Sequence, residues 1–286
     1  SLRGNDVIPV LFLNTLFCSA IFLPLILLSQ YTHILDSSIL HVGAGGWEMH
    51  RWIILKSVIV LLSWVFGYFA IAQLPLTIVG PINATRPVMT LVGAMLVFGE
   101  RLNGWQWVGV CLAIVSLFLL ARSGKKEGID FKHNKWIFFL VLAALMGTCS
   151  GLLDKYLMAS PEEGGVGLDR MMAQSWYNIY QCVMMGLVLL IYLINNHKKG
   201  EERVHFSWRW SILLISIFLS MADFAYFYAL SLPGAMISIV SMVRRGSVLV
   251  SFVCGAVLFR ERNLKAKAID MCFVLLGMIF LWIGSR

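Results

Sequence analysis

Long apolar runs separated by short polar segments follow one another along the whole chain. Each run holds a window of about 19 residues with few charges, which is the length that an α-helix needs to cross a bilayer. The pattern therefore predicts a polytopic, all-α membrane protein. Nine spanning helices are expected, at residues 7–28, 51–72, 74–98, 105–122, 136–158, 170–194, 207–230, 232–259 and 265–285.

Two of the polar breaks are longer than the other turns. Residues 29–50 contain the sequence GAGG and three histidines, and residues 123–135 read SGKKEGIDFKHNK. The second break predicts a polar linker between two halves of the chain, residues 1–122 and residues 136–286.

The composition is that of a membrane protein rather than of a soluble one. Of 286 residues, 59% are hydrophobic and 13% are charged, whereas soluble domains contain about 25% charged residues. The net charge of +8 does not indicate nucleic-acid binding, because most basic residues lie in short loops between apolar runs. Membrane topology and contact with anionic lipids explain such residues better.

The six cysteines all lie inside apolar runs, without the paired spacing of zinc ligands or of a disulfide framework. We expect them to pack as small apolar residues. Neither a metal nor another cofactor is expected.

The loop charges predict an orientation. Loops on the side of Ser1 hold most of the Lys and Arg residues, and the opposite side holds few. The positive-inside bias then places Ser1 and the 123–135 linker in the cytoplasm and the C-terminus outside.

The two halves share a sequence pattern. Residues 74–102 read LPLTIVGPINATRPVMTLVGAMLVFGERL, and residues 232–263 read LPGAMISIVSMVRRGSVLVSFVCGAVLFRERN. Both segments begin with Leu-Pro, carry arginine in mid-run and end in a glutamate beside arginine. An Asn-x-x-x-Cys pattern also recurs, at residues 14–18 and 178–182.

The helix count of the halves differs by one, because helix 136–158 has no counterpart in the first half. We expect a further helix before Ser1 and thus five helices in each repeat. An odd number makes the second copy enter the membrane from the opposite side, which gives the inverted-topology repeat found in secondary transporters.

The paired segments with FGERL and FRERN, each followed by a last apolar helix, resemble the EamA domains of the drug/metabolite transporter superfamily. The resemblance covers nearly the whole chain. It implies two inverted helical bundles, a central substrate cavity and export of a small metabolite by alternating access across a bacterial inner membrane. It does not imply one substrate, because members move amino acids, sugars, nucleotide conjugates and drugs.

Arginines inside the predicted spans are the first candidate site residues. Arg86, Arg244 and Arg245 lie near mid-depth, where a charge costs about 2.5–3.5 kcal/mol on insertion scales. The carboxylate of Asp223, on one helix stripe with Tyr226, is a candidate partner for one of the two adjacent arginines. The excess of positive charge predicts an anionic or zwitterionic substrate, because arginine binds carboxylates and phosphates in bidentate fashion.

A polar stripe on helix 170–194 is the second candidate. Such a stripe faces either a wet cavity or a neighbouring helix. Candidates of the same kind on other helices are Asn14 and the aromatic pair Trp64 and Tyr68, which lie one turn apart. The stripe consists of Arg170, Gln174, Tyr177, Asn178 and Gln181.

Structural roles compete with these site assignments. Lys56 is expected to extend its ammonium group to the membrane interface, and Asp154 to pair with a local neighbour such as Lys155. Arg86 has a second possible role, in which it binds carbonyl groups near Gly80 and Pro81.

Two other functional classes stay open. The segment GTCSG at 147–151 holds a serine, but none of the six histidines lies in a predicted span to act as its base, which disfavours an intramembrane enzyme. A flippase for lipid-linked sugars is the closer alternative. A coupling proton carried by Asp223 is a further hypothesis, and the sequence does not distinguish a monomer from a homodimer.

Overall fold

The computed structural model describes residues 5–98, 103–125, 133–199, 206–232 and 264–284, together with the single helical residues Val240, Arg244, Val250 and Cys254. The described residues are 83% helical and contain no strand. The helices are α1 Val7–Tyr31, α2 Trp47–Gln73, α3 Leu76–Ala84, α4 Arg86–Phe98, α5 Gly104–Lys125, α6 Lys135–Met158, α7 Arg170–Lys199, α8 Trp210–Leu230 and α9 Leu264–Gly284. The prediction of an all-α membrane protein is confirmed.

Five of these helices are long and apolar enough to cross a membrane, namely α1, α2, α6, α8 and the Arg170–Asn196 part of α7. Shorter apolar stretches occupy Gly104–Ser116 in α5 and Met271–Gly284 in α9. The helix predicted at 232–259 lies outside the described residues, apart from the four single positions. The inverted relation of the two halves therefore stays a prediction.

The prediction of one helix at 74–98 is wrong, because the chain turns at Thr85 between α3 and α4. The backbone N–H of Thr85 donates to carbonyl oxygens of α3, and its hydroxyl donates to Ile82 O at 2.7 Å. Pro87 has no N–H with which to continue the α3 hydrogen-bond ladder. A helix break therefore lies inside a segment that hydropathy alone describes as continuous.

The chain divides into two compact units, which do not coincide with the predicted halves. Unit 1 comprises Ser1–Val65 and Leu153–Pro233, and unit 2 comprises Phe66–Leu152 and Gly234–Arg286. Each unit takes helices from both halves of the sequence. The repeat assignment at 1–122 and 136–286 is a sequence prediction that this division does not decide.

In unit 1, α1 packs against α7 and α8. Phe22, Ile26 and Met171 form its core together with Val42 from the segment between α1 and α2. Gly45 of that segment has a φ of 62° and lies beside Met172 of α7. The positive φ favours glycine at this position, and a Cβ atom there would also displace the terminal methyl group of Met172.

The acidic loop after α6 folds back onto the end of that helix. The N–H groups of Val166, Gly167 and Leu168 donate to the carbonyl oxygens of Tyr156, Ala159 and Leu157, respectively. These bonds satisfy carbonyls that the last turn of a helix leaves without intrahelical partners. The loop therefore fixes the C-terminal end of α6.

In unit 2, residues of α2, α3 and α6 form one apolar core that includes Ala70, Ile78 and Leu140. The α5 and α9 helices pack along each other, with stacked rings of Trp105 and Phe280 at a centroid distance of 5.8 Å. This core holds α3 and the adjoining helix break in position.

Candidate functional site

Three charged side chains are buried inside unit 1. Lys56 of α2, Asp154 of α6 and Asp223 of α8 are 2%, 4% and 5% exposed. The Lys56 ammonium forms an ion pair with Asp154 Oδ1. Such a pair is strongly destabilised when one partner is removed, because the other charge is then left buried without its counter-ion.

This ion pair corrects two sequence expectations. Lys56 does not extend to the membrane interface, and Asp154 pairs with another helix rather than with a local neighbour. The reason lies in the start of α2, which begins at Trp47 instead of residue 51 and so places Lys56 a full turn deeper than predicted. The signal available in the sequence was the presence of opposite charges inside two different predicted spans.

Aromatic side chains enclose the Lys56 ammonium. Its Nζ atom lies 5.1 Å from the ring centroid of Tyr177 and 4.8 Å from that of Phe227, distances at which ring faces attract cations. The hydroxyl of Tyr226 donates to the second oxygen of Asp154 at 3.2 Å. We call Asp154, Tyr177, Tyr226 and Phe227 the ammonium box.

Tyr177 also connects the box to Asp223, because its hydroxyl donates to Asp223 Oδ2. Two of the predicted site residues, Tyr177 and Tyr226, thus contact the buried charges directly. The predicted pairing of Asp223 with an arginine is not tested, since Arg245 lies outside the described residues and Arg244 belongs to unit 2.

The predicted polar stripe of α7 is buried. Gln174 donates through Nε2 to Ser220 O at 3.1 Å, and Asn178 donates through Nδ2 to Gln174 O at 2.9 Å. The Oε1 atom of Gln174 and the Nε2 atom of Gln181 are buried without a hydrogen-bond partner among the described residues. Arg170, at the start of the helix, lies 4.5 Å from the ring centroid of Tyr228.

The other predicted residues of α1 and α2 have different surroundings. Asn14 Oδ1 accepts a bond from the hydroxyl of Ser216 at 2.6 Å, which joins α1 to α8 as a helix–helix contact. Trp64 and Tyr68 are half-buried on α2. Trp64 falls in unit 1 and Tyr68 in unit 2, so the predicted aromatic wall is not tested.

A separate cationic site lies in unit 2, at the helix break. Arg86 is the first residue of α4, and its Nη2 atom donates to Ala143 O of α6 at 3.2 Å. That carbonyl replaces the expected partners near Gly80 and Pro81. The Nε atom of Arg86 is buried without a partner among the described residues, and Arg244 lies close enough for the two positive charges to repel each other.

The described residues contain no group of three or more His, Cys, Asp or Glu side chains arranged to hold a metal ion. They do contain one open cavity of about 430 Å³ at the end of α1, apart from the predicted site residues. Its lining consists of Ser29, Gln30, Tyr31, His41, Val42 and Ala44.

Comparisons with known proteins agree with the sequence resemblance. Residues 2–122 match the family model described as the EamA-like transporter family, which supports a membrane transporter of the drug/metabolite superfamily, with a small-molecule substrate. A solved structure described as "Crystal structure of protein" superposes with a TM-score of 0.66 at 10% sequence identity, covering 100% of this chain and 90% of that chain. At this identity the likeness concerns the fold alone. No curated protein matches the chain.

Proposed function

Because residues 2–122 match the EamA-like transporter family, we propose that the chain is a secondary-active exporter of a small polar metabolite. The substrate carries an anionic group and is either an anion or a zwitterion. It passes through a central cavity by alternating access across a bacterial inner membrane. Ser1 and the 123–135 linker face the cytoplasm, and the C-terminus lies outside.

The observation that supports an anionic substrate is the position of Arg86 at the helix break. Arg86 is the first residue of α4, and the positive end of that helix dipole favours an anion there. Discontinuous helices in other transporters bind substrate carboxylates in this way. A buried Nε atom of Arg86 without a partner adds a donor at the same place.

The electrostatics of unit 2 support the same proposal. The positive charges of Arg86 and Arg244 repel each other, and an arginine at the centre of a bilayer costs about 2.5–3.5 kcal/mol on insertion scales. An anion near both guanidinium groups would reduce this repulsion, and it would supply an acceptor for the Nε atom of Arg86.

The test is a thermal-shift screen of the purified protein in detergent, across organic acids, amino acids, phosphorylated sugars, nucleotides and neutral sugars. A ligand at 100 times its Kd stabilises the folded state by about 2.7 kcal/mol. We expect anionic compounds to raise Tm for the wild type and not for Arg86→Ala. Arg51→Ala is the matched control, because Arg51 is exposed and pairs with Glu48 one turn away.

Compounds that stabilise the wild type are then tested for uptake into proteoliposomes. Saturable counterflow of an anionic or zwitterionic hit supports the transporter. Stabilisation by neutral or cationic compounds alone overturns the proposed substrate class. An anion response that persists in Arg86→Ala overturns the assignment of Arg86 to the binding site. If the protein moves a lipid-linked sugar across the bilayer and takes up none of the soluble compounds, it is a flippase and the proposed function is wrong.

A further inference from the structure

We propose that the ammonium box is a binding site for primary alkylammonium groups, which Lys56 occupies as a tethered cation in the present conformation. The ligand class is a primary amine in its protonated form, including the ammonium end of a zwitterion. All residues of the box belong to unit 1, and the proposal does not depend on anion binding at Arg86.

The box combines the two features that bind organic ammonium ions. Asp154 Oδ1 supplies a buried carboxylate oxygen for the N–H groups, and the rings of Tyr177 and Phe227 lie within about 6 Å of the cation, as cation–π attraction requires. The second oxygen of Asp154 is bound by Tyr226. The carboxylate is therefore held in one orientation by a residue other than the lysine.

The same contacts disfavour an inorganic cation. Na⁺ and divalent cations bind to several oxygen ligands at once, whereas the contacts described for the Lys56 ammonium are one carboxylate oxygen and two ring faces. The described residues contain no cluster with metal-ligand geometry. An alkylammonium group has three N–H donors at one end and an apolar chain at the other. It therefore fits a site with one acceptor and two ring faces.

Because Lys56 is part of α2, its ammonium group keeps the box occupied when no ligand is bound. Lys56 comes from α2, whereas the box consists of residues from α6, α7 and α8. Withdrawal of Lys56 alone would leave Asp154 buried without a counter-ion, which is strongly unfavourable. Exchange of Lys56 for the ammonium group of a ligand keeps the charge of the box constant, so only an amine of matching charge takes its place.

The experiment uses Lys56→Ala and n-butylammonium, which carries the ammonium group on a four-carbon chain as lysine does. We expect the variant to lose about 10 °C in Tm relative to the wild type. Added n-butylammonium chloride should restore much of this loss in a saturable way, whereas n-butanol and NaCl at equal concentration should not. The wild type should respond only at much higher concentrations of n-butylammonium, because the tethered ammonium of Lys56 competes with the free amine.

Three variants define the site. Lys56→Ala combined with Asp154→Asn should lose the response to n-butylammonium, and Lys56→Ala combined with Phe227→Leu should raise its apparent Kd by about 3- to 30-fold. Lys56→Ala combined with Lys135→Ala, which changes an exposed lysine at the start of α6, should respond to n-butylammonium as Lys56→Ala does.

If NaCl restores the Tm of Lys56→Ala as well as the amine does, the site is a carboxylate that accepts any cation, and the proposal is overturned. An amine Kd that is unchanged by Phe227→Leu would remove the aromatic contribution and overturn it too. If Lys56→Ala does not fold, it is solubilised with and without n-butylammonium and the yield of monodisperse protein is compared. No gain in yield then means that Lys56 is purely structural. None of these outcomes depends on transport or on Arg86.

Discussion

Tyr177 donates a hydrogen bond from α7 to Asp223 on α8, and its ring lies beside the Lys56 ammonium. One side chain thus contacts a buried carboxylate through its hydroxyl and a buried cation through its ring. These two contacts can be separated, because phenylalanine keeps the ring and removes the hydroxyl.

We expect Tyr177→Phe to lower the free energy of unfolding by about 1–3 kcal/mol, since Asp223 loses a buried donor. Tyr177→Leu should cost more, because it also removes the ring beside Lys56. Thermal unfolding in detergent, followed by intrinsic fluorescence, measures both. Tyr228→Phe on the exposed side of α8 is the control and should change little. Equal losses for Tyr177→Phe and Tyr228→Phe would contradict the role of the hydroxyl.

The ion pair between Lys56 of α2 and Asp154 of α6 predicts a large coupling energy between these two side chains. Asp154→Asn alone should destabilise by about 3–5 kcal/mol, because it leaves the lysine charge buried. Lys56→Met combined with the same Asp154→Asn change should recover much of that loss, since no buried charge remains. A double-mutant cycle on Tm measures the coupling.

The matched control for that cycle is Glu48→Gln. Glu48 and Arg51 form an exposed pair within one helix, and such pairs contribute about 0–1 kcal/mol. Additive effects of the two changes at Lys56 and Asp154 would show that the pair is not coupled in the membrane protein.

Arg86 should contribute more to ligand binding than to folding. Its guanidinium forms one hydrogen bond among the described residues, to a backbone carbonyl, and placing an arginine inside a membrane costs free energy. We expect Arg86→Met to leave Tm unchanged or to raise it slightly, while it abolishes stabilisation by anionic compounds. A loss of several kcal/mol in the unliganded protein would instead make Arg86 a structural residue. Parallel thermal-shift curves with and without ligand measure the two effects.

Gly45 should tolerate no side chain. Its φ of 62° and the proximity of Met172 predict that Gly45→Ala lowers stability by about 1 kcal/mol or more. Gly43→Ala and Gly46→Ala are the controls, because a Cβ at either position meets nothing within 4 Å. All three variants are compared by thermal unfolding. A result in which the three behave alike would exclude the close approach to α7.

The sequence predicted the helices well and the partners of their charges poorly. Hydropathy located α1, α6, α7 and α8 to within a few residues, because a spanning helix must be apolar along its whole length. The same criterion joined α3 and α4 into one helix, since a window of about 19 residues averages the few polar residues around Thr85 with the apolar residues on either side. Local hydrogen bonding decides that turn, and hydropathy does not report it.

The ammonium box shows why tertiary contacts were missed. Tyr177 and Tyr226 were predicted as site residues because polar groups inside a span need a partner. Lys56 and Asp154 were assigned to local roles, since their pairing depends on how deep each residue lies and on which helices are neighbours. Phe227 lies on the same predicted helix stripe as Asp223 and Tyr226, but it is not predicted as a site residue because an aromatic residue in an apolar run is ordinary.

The loop at 161–169, rich in glycine and glutamate, has the composition of a flexible connection, but its backbone is bonded to Tyr156, Leu157 and Ala159 at the end of α6. The amide protons of Val166 and Leu168 should therefore exchange slowly with deuterium. An epitope tag or a fusion partner inserted here would disturb the helix that carries Asp154. A loop without such bonds is the better place to attach a rigid marker for electron microscopy.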